Sequence, residues 1–418
     1  MSLNEPCITL DIADLAFGGE GVGRAPDGRA VFVPFTIPGE RVAVKVTRSA
    51  ARFCRAEVRE ILRAAPRRVL PPCPLFGRCG GCQYQHLDYP AQVTFKSGQL
   101  VPVLERLGGL TGLPAPTPLV ASTVAYGYRN KLTLEPFPPA SDYGFFALDN
   151  KTLIPVEQCP LAMAGLNRLL PLAKAAPATR RNLALRSPQP LVLRQPAAGE
   201  PLFFFGSAAR GLPLLVEKVD GKPVTLPAAV FWQVNPGVAA ELVATLKAWF
   251  AAAPTPLLVD AYAGAGAFSL ALGRFCQEAV VIEANAAALE AAERNHREWG
   301  STARTFLRAT TEAALPGLLR QLGTRRRQCT VILDPPRSGC LHPVLAALTE
   351  MPVHQVAYVS CNAATLARDL RTLCAAGQYA VRRLAWFDMF PQTAHFETAV
   401  WLEAQRAAFA RSDSVAIV

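Results

Sequence analysis

The sequence predicts an α/β protein built from three parts, and three features of the chain predict it. Short runs of alternating apolar and polar residues, separated by turn residues, fill residues 7–63 and indicate a small β-barrel. Strand-like segments between residues 73 and 230 indicate a mixed α+β region. From about residue 240, short apolar strands alternate with helical segments, which is typical of a doubly wound, mostly parallel sheet. We therefore expect domains at residues 1–63, 64–230 and 231–418.

The overall charge predicts an anionic partner. The 418-residue chain carries 43 Lys and Arg against 32 Asp and Glu, a net charge of +11. Nucleic acid is the usual partner of such a protein, although a basic surface without a partner would have the same charge. No apolar run is long enough to cross a bilayer, and the first residues, MSLNEPCITLDIADL, lack the regions of a signal peptide. We expect a cytoplasmic protein with no membrane partner.

The N-terminal segment has the features of an OB-like barrel with a basic face. The tripeptide PDG at 26–28 predicts a turn, because Pro fixes φ and Gly accepts a positive φ. About five short strands are expected, with basic residues spread along them. OB-like barrels bind RNA on such faces, and a purely structural barrel with solvated basic residues is the alternative. The candidate RNA contacts in this segment are Arg24, Arg41 and Lys45.

The central segment follows a linker and contains an uneven cysteine cluster. RAAPRRVLPPCP at 63–74 is rich in Pro and Arg, and the later segments GYRNKLTLEPF, LVLRQP and PLFFFG predict an antiparallel sheet. Eleven cysteines in a cytoplasmic chain favour metal or catalytic thiols over disulfides. Four of them form a candidate site: Cys73, Cys79, Cys82 and, after 76 further residues, Cys159. Four thiolates suit zinc or an iron–sulfur cluster, and this spacing is unlike the two paired knuckles of structural zinc.

The C-terminal segment opens with a glycine turn that predicts a nucleotide-type cofactor. In VDAYAGAGAFSL, Gly264 and Gly266 follow the first strand, and Glu283 ends the next strand. An acid at that position can accept hydrogen bonds from the hydroxyl groups of a ribose. Ser269 stands where an NAD site has a third glycine, which disfavours an NAD oxidoreductase. A site for S-adenosylmethionine fits, and tight strand–helix packing without a ligand is the alternative.

An acid, a thiol and a second acid are expected to meet near this turn. Asp334 in VILDPPRSG and Cys361 in YVSCN each end a strand, and strand ends in such sheets face the ligand crevice. Glu397 lies in the strand-like segment HFETAVWLEA. A packed core thiol is the alternative for any one cysteine. The place of Cys361 between a strand and a helix predicts a lowered thiol pKa.

With these motifs the chain resembles the RNA uracil-5-methyltransferases of the TrmA/RumA group. The matching stretches are FWQVNPG, DAYAGAGAFSLAL, LDPPRSG, YVSCNAATLARDL and FDMFPQTAHFETAVWL, and the N-terminal barrel with GGEGVGR resembles a TRAM domain. The resemblance implies a Rossmann-like class I methyltransferase domain and a central domain that holds a [4Fe-4S] cluster on the four cysteines. The chain departs from the pattern of the group at Ala363, where Pro is common, and at Ala267, where an amide side chain is common.

The resemblance also implies a role for each site residue. Cys361 would be the nucleophile that attacks C6 of uracil, and Glu397 the general base that removes the C5 proton. Asp334 would lie where the cofactor meets the uracil, and Phe231 would stack on the flipped base. The residues implied to contact S-adenosylmethionine are Gln233, Tyr262, Gly264, Gly266, Glu283, Thr310 and Asp334. The implied substrate is 23S rRNA, with tRNA and a non-catalytic RNA-binding role as alternatives, and we expect a monomer.

Overall fold

Six strands form the N-terminal part of the protein in the computed structural model, which describes residues 7–137, 142–207, 211–301 and 303–409. They are β1 (Cys7–Asp11), β2 (Asp14–Leu15), β3 (Glu20–Arg24), β4 (Ala30–Pro34), β5 (Arg41–Ser49) and β6 (Phe53–Arg63). Their order in the sheet is β1-β5-β6-β4-β3-β2, and β4 pairs in parallel with β6. Alternate residues such as Val31, Val33, Val42 and Val44 are fully buried and form its core. The predicted all-β segment is confirmed.

The central part combines an antiparallel sheet with helices. Its helices are α1 (Tyr89–Ser97), α2 (Leu100–Gly108), α3 (Ala164–Ala175) and α4 (Pro177–Leu183). Its strands are β7 (Lys131–Pro136), β8 (Tyr143–Phe146), β9 (Leu153–Pro155), β10 (Leu191–Arg194), β11 (Leu202–Phe205), β12 (Leu214–Val219) and β13 (Lys222–Pro227). The sheet order β11-β10-β7-β8-β9 is antiparallel throughout, and β12 and β13 form a separate hairpin. The predicted antiparallel sheet is confirmed.

The C-terminal part is a seven-stranded sheet with helices between its strands. Its strands are β14 (Leu257–Ala261), β15 (Glu278–Glu283), β16 (Ala303–Arg308), β17 (Cys329–Leu333), β18 (Gln355–Ser360), β19 (Tyr379–Phe387) and β20 (Glu397–Ala404). Its helices are α5 (Pro236–Ala252), α6 (Ala267–Leu272), α7 (Ala286–Glu298), α8 (Thr311–Leu322), α9 (His342–Glu350) and α10 (Ala363–Cys374). The strand order is β16-β15-β14-β17-β18-β20-β19, in which β14 to β18 are parallel.

The last two strands depart from the parallel pattern and change the edge of the sheet at which the parallel strands end. β20 inserts between β18 and β19 and runs antiparallel to both. Its register pairs Ser360 with Thr398, so the start of β20 meets the end of β18. Parallel strands have their carboxyl ends at one edge of a sheet, and this antiparallel insertion adds an amino end to the same edge. The sheet thereby collects residues from distant segments of the chain.

The C-terminal core extends beyond its own sequence segment. Leu100 and Leu104 of α2 are fully buried in the same apolar cluster as Val331, Val356 and Leu370. This helix belongs to the central segment by sequence, yet it packs against α10 and its apolar face joins the core of the C-terminal part. In the described part of the chain, no helix is both long and apolar enough to span a bilayer.

Candidate active site

Three side chains of the predicted reaction centre meet at the edge of the seven-stranded sheet. Asp334 directly follows β17 and Cys361 directly follows β18, so both lie at the carboxyl ends of paired parallel strands. Glu397 is the first residue of β20, beside the end of β18. The structure therefore brings the thiol and both carboxyl groups together, and their catalytic roles stay predictions.

The pKa of the Cys361 thiol is raised to about 11, first by burial and then by the nearby Glu397 and Asp334 carboxylates. Arg337 opposes this effect with its positive charge. The predicted lowering of this pKa is wrong, because lost hydration and two neighbouring negative charges outweigh the amino end of α10. In this structure the thiol carries its proton at neutral pH.

The two carboxyl groups also hold protons more readily than ordinary acids. Burial raises the pKa of Asp334 to about 7, and the charge of Asp260 acts in the same direction. Burial raises the pKa of Glu397 well above its usual range, with a further rise from Asp334 and a partial reversal by Arg337. Like charges that share a site poor in water do not all ionise. Asp334 therefore exchanges its proton near neutral pH, and Glu397 keeps its proton to a higher pH than an ordinary glutamate.

A cavity of about 440 Å³ lies beside this centre, at the glycine turn before α6. Its lining includes Gln233, Tyr262, Gly264 and Asp334, four of the residues predicted to contact the cofactor. Phe231 also lines it, and 63% of this residue is exposed, so the ring has open surface for a ligand. A volume in the range of about 300–1,000 Å³ suits a small organic molecule.

Glu283 holds the glycine turn in place. Gly264 has φ +55° and Gly266 has φ +82°, a left-handed conformation that glycine adopts without strain. One carboxylate oxygen of Glu283 accepts a hydrogen bond from the N–H of Gly264 at 2.8 Å. Its other oxygen accepts one from the N–H of Asn285 at 2.7 Å. Each oxygen has a further lone pair, so the predicted contact with a ribose is compatible with this position.

Two further predicted cofactor contacts have structural partners of their own. The hydroxyl of Tyr262 donates a hydrogen bond to Glu312 at 2.7 Å, and Tyr262 itself has φ +61°. Thr310 is exposed, and its hydroxyl accepts a hydrogen bond from the N–H of Ala313 at 3.3 Å. Thr310 therefore caps the start of α8, and its predicted contact with the cofactor stays a prediction.

A buried ion pair fixes the segment that carries Phe231 and Gln233. Arg194 lies 2.9 Å from Glu217, and both side chains are almost completely buried. The same guanidinium donates to the carbonyl groups of Ala228 and Val230 at 3.0 and 2.9 Å. The backbone immediately before Phe231 is thus held by the central part of the chain.

The candidate RNA contacts of the barrel lie on its outer surface. Arg41 is exposed at the start of β5, and Lys45 lies four residues further along the same strand. The buried residues Val42 and Val44 alternate with this face, so Arg41 and Lys45 point away from the core. Arg24 is exposed at the end of β3, which pairs with β4 and not with β5. RNA binding by these three residues stays a prediction.

The four clustered cysteines line one cavity of about 360 Å³ in the central part, together with Arg129 and Lys131. They are Cys73, Cys79, Cys82 and Cys159. Burial raises the pKa of the Cys82 thiol to about 12, and the N–H of Gly81 donates to the sulfur of Cys79 at 3.4 Å. Among the described residues, no three His, Cys, Asp or Glu side chains are grouped as they would be around a metal ion. The cysteines are brought together, and the cluster stays a prediction.

A third cavity, of about 200 Å³, contains Cys361 and also residues to which the sequence did not assign roles. Cys361 lines it with Asn362, Ala363, Arg337, His395, Phe396 and, from the N-terminal barrel, Phe17. Arg337 lies within the LDPPRSG motif and His395 within TAHFE. Their closeness in sequence to Asp334 and Glu397 could have marked both as candidate site residues. The sequence offered less reason to expect Phe17 at this site. The two glycines that follow it predict an exposed loop, but nothing in the sequence links that loop to Cys361.

Comparison with known proteins agrees with this geometry. A tRNA (uracil-5-)-methyltransferase family model matches residues 225–405, and a TRAM domain model matches residues 7–58. An uncharacterized RNA methyltransferase of Synechocystis sp. is 34% identical, with 95% of this chain and 96% of its own length covered. The 23S rRNA (uracil(1939)-C(5))-methyltransferase of Klebsiella pneumoniae is 33% identical, with 95% of each covered.

One solved structure matches almost the whole chain. It is the Pyrococcus abyssi tRNA (uracil-54, C5)-methyltransferase in complex with S-adenosyl-L-homocysteine, with a TM-score of 0.69 and 22% identity. The match covers 94% of this chain and all of that one, and it shows that the two share a fold. Together with the relatives above, which span nearly the full length, these findings confirm the methyltransferase fold and the TRAM domain. The chain therefore belongs to the family of S-adenosylmethionine-dependent RNA (uracil-5-)-methyltransferases.

Proposed function

We propose that the protein methylates C5 of a uridine in 23S rRNA. The observation that carries this proposal is the meeting of Cys361, Asp334 and Glu397 at the sheet edge, beside the cavity at the glycine turn. The full-length similarity to a 23S rRNA uracil-C5 methyltransferase supports the choice of RNA. The TRAM domain and the net charge of +11 support a large anionic substrate.

Cys361 starts the reaction in this proposal. C5 of uracil is a poor nucleophile, and addition of the Cys361 sulfur to C6 converts the ring to an enolate whose C5 is nucleophilic. The thiol must lose its proton first, because its pKa is about 11. The Asp334 carboxylate is close enough to influence that pKa and is the nearby acceptor for this proton, which leaves Glu397 ionised for the last step.

Glu397 ends the reaction. After C5 has gained the methyl group, its remaining proton must leave before the carbon–sulfur bond can break. Removal of that proton returns electrons to the C5–C6 bond and expels the Cys361 thiolate, which restores the free enzyme and releases 5-methyluridine. The raised pKa of Glu397 suits this role, because a carboxylate with a high pKa is a stronger proton acceptor.

S-adenosylmethionine, which would supply the electrophilic methyl group and leave as S-adenosylhomocysteine, would fit the cavity of about 440 Å³. Gly264 leaves its backbone open, since a Cβ added there would have no atom within 4 Å. Tyr262, Gln233 and the exposed ring of Phe231 line the same space and would hold the cofactor or the flipped base. Asp334 lines this cavity and also influences Cys361, so it would lie where the two reactants meet.

We also propose that the four clustered cysteines hold a [4Fe-4S] cluster. Their shared cavity, the N–H of Gly81 directed at the sulfur of Cys79, and the cations Arg129 and Lys131 in the lining all favour bound thiolates. Thiols whose pKa values are raised by burial ionise when a metal displaces their protons. Such a cluster would brace the central part of the chain, because the methyl transfer itself needs no electron.

Metal analysis tests the cluster. The protein purified without oxygen should contain iron and acid-labile sulfide, and Cys79→Ser should remove both. Cys374→Ser is the matched control, because Cys374 is a half-buried thiol at the end of α10, outside the cysteine cavity. Purified protein with zinc and no iron would contradict the [4Fe-4S] cluster.

Methylation of defined RNA tests the function. With methyl-tritiated S-adenosylmethionine, a 23S rRNA transcript should gain 5-methyluridine, and Cys361→Ala should abolish the label. Cys374→Ala is the matched control, because burial raises the pKa of Cys374 to about 11 as well. Label in tRNA alone would favour a tRNA substrate, and no label in either RNA, with RNA still bound, would favour a non-catalytic role.

A further inference from the structure

An aromatic side chain of the N-terminal barrel reaches the pocket that contains Cys361. Phe17 lies in the loop between β2 and β3, far from the methyltransferase motifs in sequence. It nevertheless lines the pocket of about 200 Å³ with Cys361, Arg337 and His395. Its ring is 6.1 Å from that of Phe396, edge to face at 81°, and Phe396 immediately precedes Glu397.

The loop that carries Phe17 is fixed against the rest of the protein. The N–H of Gly19 donates to the carbonyl of Ala16 at 3.0 Å and closes a tight turn with Phe17 near its tip. A Cβ on Gly19 would lie 3.0 Å from both Gln83 and Tyr84. Leu15, at the base of the loop, is buried in a cluster with Tyr84 and Ala394. Phe17 is therefore held at the pocket by contacts with two other parts of the chain.

Part of the Phe17 side chain stays open to solvent although its loop is fixed. Although the ring of Phe17 packs edge to face with that of Phe396, 43% of Phe17 is exposed. An exposed aromatic ring in an enzyme for single-stranded RNA offers a face on which a splayed base can stack. The pocket adds Arg337, a cation suited to the RNA backbone.

We propose that Phe17 is a substrate-contacting residue that stacks on a nucleobase of the RNA in the Cys361 pocket. This inference rests on the proposed function, since it requires an RNA base to reach Cys361. The N-terminal barrel would then contact RNA inside the active site, in addition to any RNA binding on its outer surface. A base must then meet the barrel and the sheet edge at once, so that RNA binding and correct placement of the uridine are coupled.

Substitutions of Phe17 that separate stacking from apolar packing test the inference. Phe17→Ala should lower kcat/KM for the RNA about 5- to 150-fold, the effect of losing one base–aromatic contact. Phe17→Leu keeps an apolar contact with Phe396 without an aromatic face, so it should fall into the same range. Phe17→Trp should stay within about threefold of the wild type, because an indole stacks at least as well. The KM for S-adenosylmethionine should not change in any variant.

Leu172→Ala is the control, because Leu172 is an apolar residue of α3 with 68% of its surface exposed and no place in the pocket. Its kcat/KM should equal that of the wild type, and thermal unfolding should show that each Phe17 variant is folded. If the wild type is active and either Phe17→Ala or Phe17→Leu keeps the full kcat/KM, the inference is overturned and the proposed function remains intact. A wild type that methylates no RNA would overturn both.

Discussion

The ammonium group of Lys96 lies 2.6 Å from a carboxylate oxygen of Asp388, and neither side chain is exposed to solvent. The same nitrogen donates hydrogen bonds to the carbonyl groups of Phe390 and His395, at 3.2 and 3.0 Å. Lys96 belongs to α1 of the central part, whereas the other three residues lead into β20 and its first residue, Glu397. The ion pair therefore joins the central part to the segment that delivers the candidate base.

Removal of the lysine should destabilise the protein strongly. Lys96→Met would leave Asp388 buried and unpaired, which costs about 3–5 kcal/mol in comparable cases. Urea titration of the wild type and the variant measures this loss in the free energy of unfolding. Arg382→Ala is the control: the Arg382–Glu403 pair, at 3.2 Å, is exposed on both sides and should contribute less than about 1 kcal/mol. A loss below 1 kcal/mol for Lys96→Met would contradict the stabilising role of the buried pair.

Lys96 also shows what sequence patterns leave undetermined. The βαβ alternation and the positions of Asp334 and Cys361 at strand ends were predictable, because strand periodicity and turn residues are local features. The partners of Lys96 lie more than 290 residues away along the chain, and no local pattern joins them. The same holds for Phe17, whose place at the Cys361 pocket depends on how the barrel packs against the sheet.

The wrong prediction for Cys361 has the same origin. Its position at the start of α10 was visible in the sequence and predicts a lowered pKa. The depth of burial and the approach of Glu397 and Asp334 were not visible, because they depend on the antiparallel insertion of β20. Alternation alone predicted an all-β segment of about five strands before residue 64, one fewer than the six observed, and it also predicted the central antiparallel sheet.

Alkylation of Cys361 should depend steeply on pH in the protein without cofactor. Because the thiol pKa is raised to about 11, the thiolate is a minor species at pH 7 and should increase about tenfold per pH unit up to pH 10. The rate of iodoacetamide modification at Cys361, followed by peptide mass spectrometry, should increase in parallel. A rate that reaches its plateau below pH 8 would show that the pKa is lowered instead.

Charge substitutions around Cys361 should shift this rate in opposite directions. Asp334→Asn removes a negative charge that raises the thiol pKa, so alkylation at pH 8.5 should become about two- to tenfold faster. Arg337→Gln removes the positive charge that lowers the pKa, so alkylation should become slower by a similar factor. Equal rates in both variants and the wild type would contradict an electrostatic cause.

Two neighbouring glycines of the barrel loop should differ in their tolerance of alanine. Gly18 and Gly19 have φ +107° and +96°, so alanine is strained at either position, by about 1–3 kcal/mol. A Cβ on Gly18 would meet no atom within 4 Å, whereas one on Gly19 would press on Gln83 and Tyr84. Gly19→Ala should therefore lower the free energy of unfolding by about 1–3 kcal/mol more than Gly18→Ala. Equal losses would show that the loop is free to move away from the central part.

Alanine at the glycine turn should weaken cofactor binding. Gly266 has φ +82°, and an added Cβ would lie 3.1 Å from the Cβ of Ala292, so the turn before α6 or Ala292 would have to move by a few tenths of an ångström. Overpacking of this size costs about 1–3 kcal/mol. With about half of that cost falling on the bound conformation of the turn, the Kd for S-adenosylmethionine should rise about two- to twelvefold in calorimetry.

Gly300→Ala separates this effect from backbone strain alone. Gly300 lies after α7 with φ +62°, and a Cβ there would meet no atom within 4 Å, so its substitution strains the backbone without displacing a neighbour. Gly300→Ala should lower stability by about 1 kcal/mol and leave the Kd for S-adenosylmethionine unchanged. The pair of variants thus links cofactor affinity to the shape of the turn. An unchanged Kd for S-adenosylmethionine in Gly266→Ala would contradict the assignment of the glycine turn to the cofactor site.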